Sequence, residues 1–528
     1  MSVEPADRTV DRRAFLARTA ALAAVTTAGA VALPAVARAT GAKKPSLDNA
    51  NAFVRPGSYG DPTELTIAEA AWLIRERRLR PEELLEAHLA RIAAHDGTYQ
   101  AFNVVLVEQA REAARRRPGR GALQGIPLAI KDNYYTAGVP TTANSYLFQD
   151  FVPPFDATAV ARLKAAGGIV VGKTQMGPLA TTRATTPDGV VTTVNAWTPT
   201  NPNQDPGGSS TGTATAVAGR LVTSGIGTQT GGSITAPSNA QNLTGIKPTM
   251  GRVSLHGIIP LSYTRDHPGP LARDAKDAAI MLTAMAGEDP ADPRTQGLPD
   301  VPNLIDAATP VRHRGAVKLR WNTRIGVPPG FATGTSATAL ARQAFLAALA
   351  AIPGATVVEV PLPDEWNLLT GNTFNNVRLP ERSEPFMPYL RDDLRGFGVS
   401  LTGWLQGALF GGNEFLTGQR AKVLLLERVL DQIFDKCDVA VQTGPVPFDI
   451  IGLPEIAFPI GFTAAGVPIG TILGGLPYAE DRLLSIAAAY QAVTDWHKRR
   501  PTDPPAGAVA ARGAGLRLTA DQVAELSQ

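Results

Sequence analysis

The sequence predicts an α/β protein, with helices layered against a sheet, and three observations carry that prediction. The apolar run IPLAI at residues 126–130 reads as a strand, the following ATAVARLKAAGG as a helix, and IVVGK after it as a second short strand. The alternation returns as ALARQAFLAALAAI before ATVVEV, and again as KVLLLERVLDQIF before CDVAVQTG. Strands interleaved with helices in this way place the helices on the sheet faces. Finally, 44% of the 528 residues are apolar and 18% charged, with the apolar ones grouped in runs, so a substantial core can be buried. Length alone leaves the domain count open. No break of composition between residues 63 and 500 marks a linker, so this stretch is read as one domain.

Taken in order, residues 1–39 differ from the rest. Arg12 and Arg13 precede Phe15 and Leu16, a mild Ala, Val and Thr stretch runs to residue 35, and Ala37, Arg38 and Ala39 form a small-residue cleavage site. The stretch is too short and too rich in Ala, Thr and Gly to be a comfortable membrane anchor. It reads as a twin-arginine export signal, which carries proteins already folded and makes the export machinery an expected partner. Residues 40–62 form a polar arm with Pro and Gly. Thr66 with Glu69 then makes a capping box for one amphipathic helix, and Pro81 opens another through Leu84, Leu85, His88, Leu89 and Ile92. Both helices are expected on one face of the sheet, with His88 and His95 in surface or half-buried structural roles. The apolar runs PEIAFPIGF and PIGTILGGL read as strands returning to the same core, and residues 501–528 form a tail that is rich in Pro, Gly and Ala to residue 515.

Charge and cysteine content exclude several functions. Without residues 1–39 the chain holds 45 basic and 44 acidic residues, a balance that gives no electrostatic case for a nucleic-acid partner. The run Arg115, Arg116, Arg117 reads as the solvated end of a helix. The single Cys437 cannot form an internal disulfide or a cysteine-rich metal site, and the six histidines show no paired ligand spacing. No metal, no cofactor and no stable membrane insertion are expected.

The chemistry concentrates between residues 121 and 274. Lys131 follows the apolar stretch 126–130, and burial there would disfavour its ammonium form and leave a base. The alternatives for Lys131 are an exposed strand end or a pair with Asp132. Ser209 lies in DPGGSSTGT, where two glycines let the backbone approach another group closely; by itself this is also an ordinary Ser and Gly loop. Ser233 follows Gly231 and Gly232 on a tight turn after the short strand LVTSGIG. There the amides of Thr230, Gly231, Gly232 and Ser233 can converge on a developing oxyanion. A phosphate-binding loop is the competing reading of GIGTQTGG, but the Gly-Lys-Ser/Thr ending of a P-loop is missing.

These segments occur in a series: GIPLAIKDN with AGVPTTANS, GGSSTGTATAVAG, GTQTGGSI, and GIKPTMGRVSLHGIIPLSYTRDHPGPLAR. In this order the chain resembles the amidase signature family, from about residue 66 to about residue 497. The resemblance implies a single α/β/α domain with a large mixed sheet, and a catalytic unit of serine, a second serine in a cis peptide, and lysine. Motif by motif, Ser233 is then the nucleophile, Ser209 the bridging serine and Lys131 the base. Many members carry Asp four residues before the nucleophile and Arg two after it; here Gln229 and Thr235 stand in those positions. Ser233-Ile234-Thr235 is more similar to the peptide amidases and the oligoamide hydrolases of the family. Thr211, where Gly is common, is expected to stiffen the loop of Ser209.

The irregular region 366–415 supplies Trp366, Phe374, Phe386, Tyr389, Trp404 and Phe410, which would line a substrate pocket or pack the core. The resemblance implies hydrolysis of a small-molecule or peptide-like amide, and the export signal implies that this takes place outside the cytoplasmic membrane. The other classes the resemblance leaves open are a catalytically inactive binding protein and an ammonia-releasing amidotransferase subunit.

Overall fold

Alternating strands and helices become one mixed sheet with helices on both faces. The computed structural model describes residues 45–116, 119–371, 377–508 and 516–526. Residues 1–39 and Phe374 lie outside them. The strands, in chain order, are β1 (Phe102–Val105), β2 (Pro127–Lys131), β3 (Ile169–Thr174), β4 (Ser224–Gln229), β5 (Thr244–Lys247), β6 (His267–Ala272), β7 (Val311–His313), β8 (Ala316–Lys318), β9 (Thr323–Val327), β10 (Ala355–Glu359), β11 (Val439–Gln442), β12 (Glu455–Phe462) and β13 (Pro468–Gly475). Eleven of them form one sheet in the order β1-β3-β2-β4-β6-β5-β12-β13-β11-β9-β10, and β7 and β8 pair separately. The runs β3, β2, β4 and β11, β9, β10 are parallel, and antiparallel pairs join the two halves.

Side chains of successive strand residues point to opposite faces, and each face has its own core. Leu128 and Ile130 of β2 and Val170 of β3 pack with the helix Ala275–Met285. Ala129, Ile169 and Val171 pack on the other side with Ala214, Val217 and Leu221. Each fully buried Leu or Ile contributes about 1.5–3 kcal/mol, so both faces are needed to hold so wide a sheet.

The helix Ile67–Arg75 begins with the expected capping box: Thr66 N donates to Glu69 and Glu69 N to Thr66. Asp277 adds a cap from outside, accepting from Ile67 N at 2.7 Å and Ala68 N at 3.2 Å. The helix Pro81–Tyr99 follows. The two do not share a face as expected. Ile67, Ala70, Leu73 and Ile74 belong to the first core, whereas Leu85, Leu89 and Ile92 belong to the second. Arg77, with φ of 57°, turns the chain between them, and Leu84 still touches the first core. His88 has the structural role expected of it but is fully buried, neither at the surface nor half-buried, with Nδ1 2.9 Å from Arg220 O and Nε2 3.1 Å from Thr223 Oγ1.

The helix Thr211–Ala218 has no exposed face: every residue in it is buried, and the hydroxyls of Thr211, Thr213 and Thr215 are all hydrogen-bonded. A Cβ on Gly225 of β4 would come within 2.6 Å of Thr213 Cγ2, and one on Gly227 within 2.4 Å of Ser210 Oγ. Glycine in the strand and small residues in the helix are therefore a matched pair that brings the backbone of residues 209–211 down onto β4. Because β2 and β4 run parallel, their C-terminal ends, Lys131 and Gln229, emerge at the same edge, where open α/β sheets build their sites. Among the described residues no helix is long and apolar enough to cross a membrane.

Candidate active site

Lys131 ends β2 with no solvent exposure. Its Nζ lies 2.8 Å from Ser209 Oγ, 2.9 Å from Thr228 Oγ1 and 3.3 Å from Thr228 O. Three lysines of the sheet are wholly buried. Lys173 is paired with Asp132 at 3.0 Å, and Lys247 with Asp449 and Glu455 at 3.2 and 3.5 Å. Lys131 alone of the three has no carboxylate within 4 Å among the described residues. Burial pushes its ammonium down to about 7, against the weaker opposing pull of Asp266. Both alternative readings of this lysine therefore fail: it is not exposed, and Asp132 belongs to Lys173, Asn103 and Thr142.

Ser209 is fully buried at the end of the Gly-Gly loop, and the Gly208–Ser209 peptide bond is cis, as the resemblance implies. Thr211 ties the loop as expected, donating to Gly207 O at 2.9 Å and accepting from Ala184 N at 3.0 Å. The loop lies against the segment that follows Ser233, since a Cβ on Gly207 would come within 2.5 Å of Pro237 Cα.

The turn after β4 carries Ser233, which is 7% exposed, beside Gly231 at the surface. Ser233 Oγ makes no hydrogen bond among the described residues, so Lys131 and Ser209 are in contact while the second serine stands free of both. Gly232, with φ of 103°, shapes the turn in a conformation that a residue with Cβ rarely adopts. No acceptor among the described residues engages the amides of Gly231, Gly232 and Ser233. The next two, Ile234 and Thr235, are taken by Gln229 Oε1 at 2.9 and 2.8 Å. Thr230, the fourth member of the expected oxyanion set, is fixed through its other groups. Its hydroxyl donates to Asp266, and its carbonyl accepts from Arg265 Nε at 3.1 Å. The buried Arg265 guanidinium lies beside the turn, 3.8 Å from where a Cβ on Gly231 would sit.

Of the aromatics in region 366–415, Phe386 and Trp404 are core: they pack with Phe397, Leu261, Met176 and Leu179 behind the site loops. Trp366 packs in a separate cluster with Leu369 and Leu425. Tyr389 is 40% exposed and edges onto Phe148, and Phe410 is half-buried. Phe386, Trp404 and Tyr389 pack together and Trp366 packs apart from them, so the region does not form one aromatic pocket. Thr228, the second partner of Lys131, was not singled out in the sequence; it sits three residues before Gly231, and nothing but that proximity distinguishes it. Lys247, Asp449 and Glu455 left no local signal, since Asp449 lies 220 positions from Gln229. Among the described residues, no group of three or more His, Cys, Asp or Glu could hold a metal.

The amidase family model matches residues 83–387. The A subunit of glutamyl-tRNA(Gln) amidotransferase from Moorella thermoacetica is 32% identical over 492 residues, covering 83% of this chain and 98% of that one. Its counterpart from a Roseiflexus species is 35% identical, covering 84% and 99%. The native peptide amidase of Stenotrophomonas maltophilia superposes with a TM-score of 0.68 at 28% identity, covering 84% of this chain and 99% of the other. Since the family model spans more than half of the chain and these relatives match along nearly their whole length, the chain belongs to the amidase signature family, enzymes that act on the C–N bond of amides.

Proposed function

We propose that the protein is an exported amide hydrolase in which Ser233 is the nucleophile, Ser209 the proton bridge and Lys131 the base. The contact geometry of Lys131 carries this reading. Thr228 O can only accept, so one N–H of the amine points at it; the hydroxyls of Thr228 and Ser209 can each donate or accept, and with Thr228 Oγ1 already accepting from Asn133, a neutral amine that places its second N–H there turns its lone pair to Ser209 Oγ. The arrangement suits an amine that takes a proton from Ser209.

When a substrate carbonyl binds at the turn, Ser233 Oγ approaches Ser209, a closure typical of catalytic hydrogen bonds that are open before binding. Ser233 then attacks the carbonyl carbon, its proton passes to Ser209, and the proton of Ser209 passes to Lys131. The free amides of Gly231, Gly232 and Ser233 stabilise the oxyanion. Collapse of the tetrahedral intermediate breaks the C–N bond, and the departing amine leaves with the proton held at Lys131. Water attacks the Ser233 ester by the reverse route, releasing a carboxylic acid. The likeness to a peptide amidase supports a peptide-like amide as substrate. The relatives named as amidotransferase subunits support a second reading, release of ammonia to a partner. The export signal read in residues 1–39 favours the first, because it separates the chain from translation.

The test compares wild type with Ser233→Ala on a chromogenic anilide, glutamine and C-terminally amidated peptides. The proposal expects amine release from anilide or peptide amide by wild type only. Release at equal, slow rates by both proteins would end it, and activity confined to glutamine would favour the second reading.

A further inference from the structure

Where many members of the family carry Asp and Arg around the nucleophile, this chain has Gln229 and Thr235, and a buried network stands in their place. Gln229 closes β4. Its Oε1 accepts from the backbone of Ile234 and Thr235, the two residues after Ser233. Its Nε2 donates to Asp449 at 3.0 and 3.3 Å and to Glu455 Oε2 at 2.8 Å. Lys247, directly opposite Glu455 in the β5–β12 ladder, reaches both carboxylates. Gln442, at the end of β11, donates to Glu455 Oε1 at 2.8 Å. Gln229, Lys247, Asp449 and Glu455 are all without solvent exposure.

The arrangement has a direction. The backbone N–H groups of Ile234 and Thr235 can only donate, so the carbonyl oxygen of Gln229 must face the turn and its NH2 must face Asp449 and Glu455. Buried groups of this kind are costly to leave unpaired, which locks the amide against flipping. The segment that carries Asp449 also presses on the turn from its other side, since a Cβ on Gly232 would come within 2.9 Å of Pro445 Cγ. The turn is thus clamped between Pro445 and Gln229, and the amides of 231, 232 and 233 are left for a ligand.

We propose that Gln229 is a positioning residue, and that Asp449, Glu455 and Lys247 act through it to hold the Ser233 turn and its oxyanion amides. The inference rests on the reading of Ser233 as nucleophile. A displacement of about 1 Å in such a site costs on the order of 100-fold in rate, which is the leverage the network would have.

The experiment uses the charge-conserving exchange Gln229→Glu with Asp449→Asn, beside each single substitution. Q229E alone turns a third carboxylate toward two others, and D449N alone removes one of the carboxylates that orient the amide. In the double variant the new amide at position 449 donates to the new carboxylate at position 229, which still accepts from the turn; Glu455, whose carboxyl is pushed well above its usual range by burial, supplies the proton between the two facing carboxyls, and the charge of the cluster is restored. Expected are Ser233 labelling by a fluorophosphonate at least about tenfold slower in each single variant, with kcat falling and KM nearly unchanged. The double variant is expected to return to within about threefold of wild type. Singles at wild-type rates, a double variant no better than the worse single, or losses that only follow the folded fraction seen by circular dichroism would each overturn the positioning role. If wild-type Ser233 is not labelled at all, the nucleophile reading fails and takes this inference with it. Normal wild-type labelling with unresponsive variants sinks the positioning role alone.

Discussion

Lys131 differs from Lys173 and Lys247 in what surrounds its nitrogen, not in burial. Burial disfavours the ammonium of both Lys131 and Lys173, but at Lys173 the paired Asp132 opposes it, whereas Lys131 faces only hydroxyl and carbonyl oxygens and feels the weaker pull of Asp266 alone. The rate should therefore be low in acid, where the amine holds its proton, rise through about pH 7, and level off above it. Lys131→Ala is expected to lower kcat/KM on an anilide by about 10²–10⁴-fold. Lys131→Arg should be as poor, because a guanidinium remains protonated and cannot act as base. At this scale motif and chemistry coincide at Lys131 and Ser209, which the sequence grouped and the structure places 2.8 Å apart, whereas Ser233 was grouped with them by motif alone. The sequence was silent on which buried lysine has a carboxylate partner, because Asp449 and Glu455 reach Lys247 from segments about 200 residues away.

At the scale of elements, the strands and helices were legible because their periodicity is local, but their boundaries and faces depend on partners. The strand read as LVTSGIG instead runs Ser224–Gln229, since Gly225 and Gly227 hide its alternation and pairing with β6 carries it to Gln229. The opposite faces of Ile67–Arg75 and Pro81–Tyr99 follow from the turn at Arg77, which no apolar pattern encodes. The most constrained element is the loop of Ser209. A Cβ on Gly208 would lie 2.5 Å from Thr182 O and 2.7 Å from Arg183 Cα, both backbone atoms. Gly208→Ala should destabilise the fold by about 1–3 kcal/mol in urea unfolding. Fluorophosphonate labelling of the folded variant should slow by at least about tenfold as Ser209 is displaced. Thr211→Gly removes the bonds to Gly207 and Ala184 and should cost about 1 kcal/mol by the same measurement.

For the molecule as a whole, stability comes from apolar clusters on both faces of one wide sheet and behind its loops, without covalent staples. Cys437 is fully buried and its thiol is pushed up to about 11, so alkylating reagents should leave the folded protein unmodified and reductant should leave its Tm unchanged. The export proposal predicts a secreted form beginning at Thr40, read by mass spectrometry of the N-terminal peptide; a cytoplasmic chain retaining residues 1–39 would contradict it. The family and the mixed sheet were legible from ordered motifs along most of the chain.

The most direct measurement is the rate at which a fluorophosphonate labels Ser233 between pH 5 and 9, in wild type and in Lys131→Ala. A rate that climbs through about pH 7 in wild type and stays slow and flat in the variant is the result expected of an uncharged amine acting through Ser209. Wild-type labelling that is flat across the range, or a variant that keeps the wild-type profile, would contradict it.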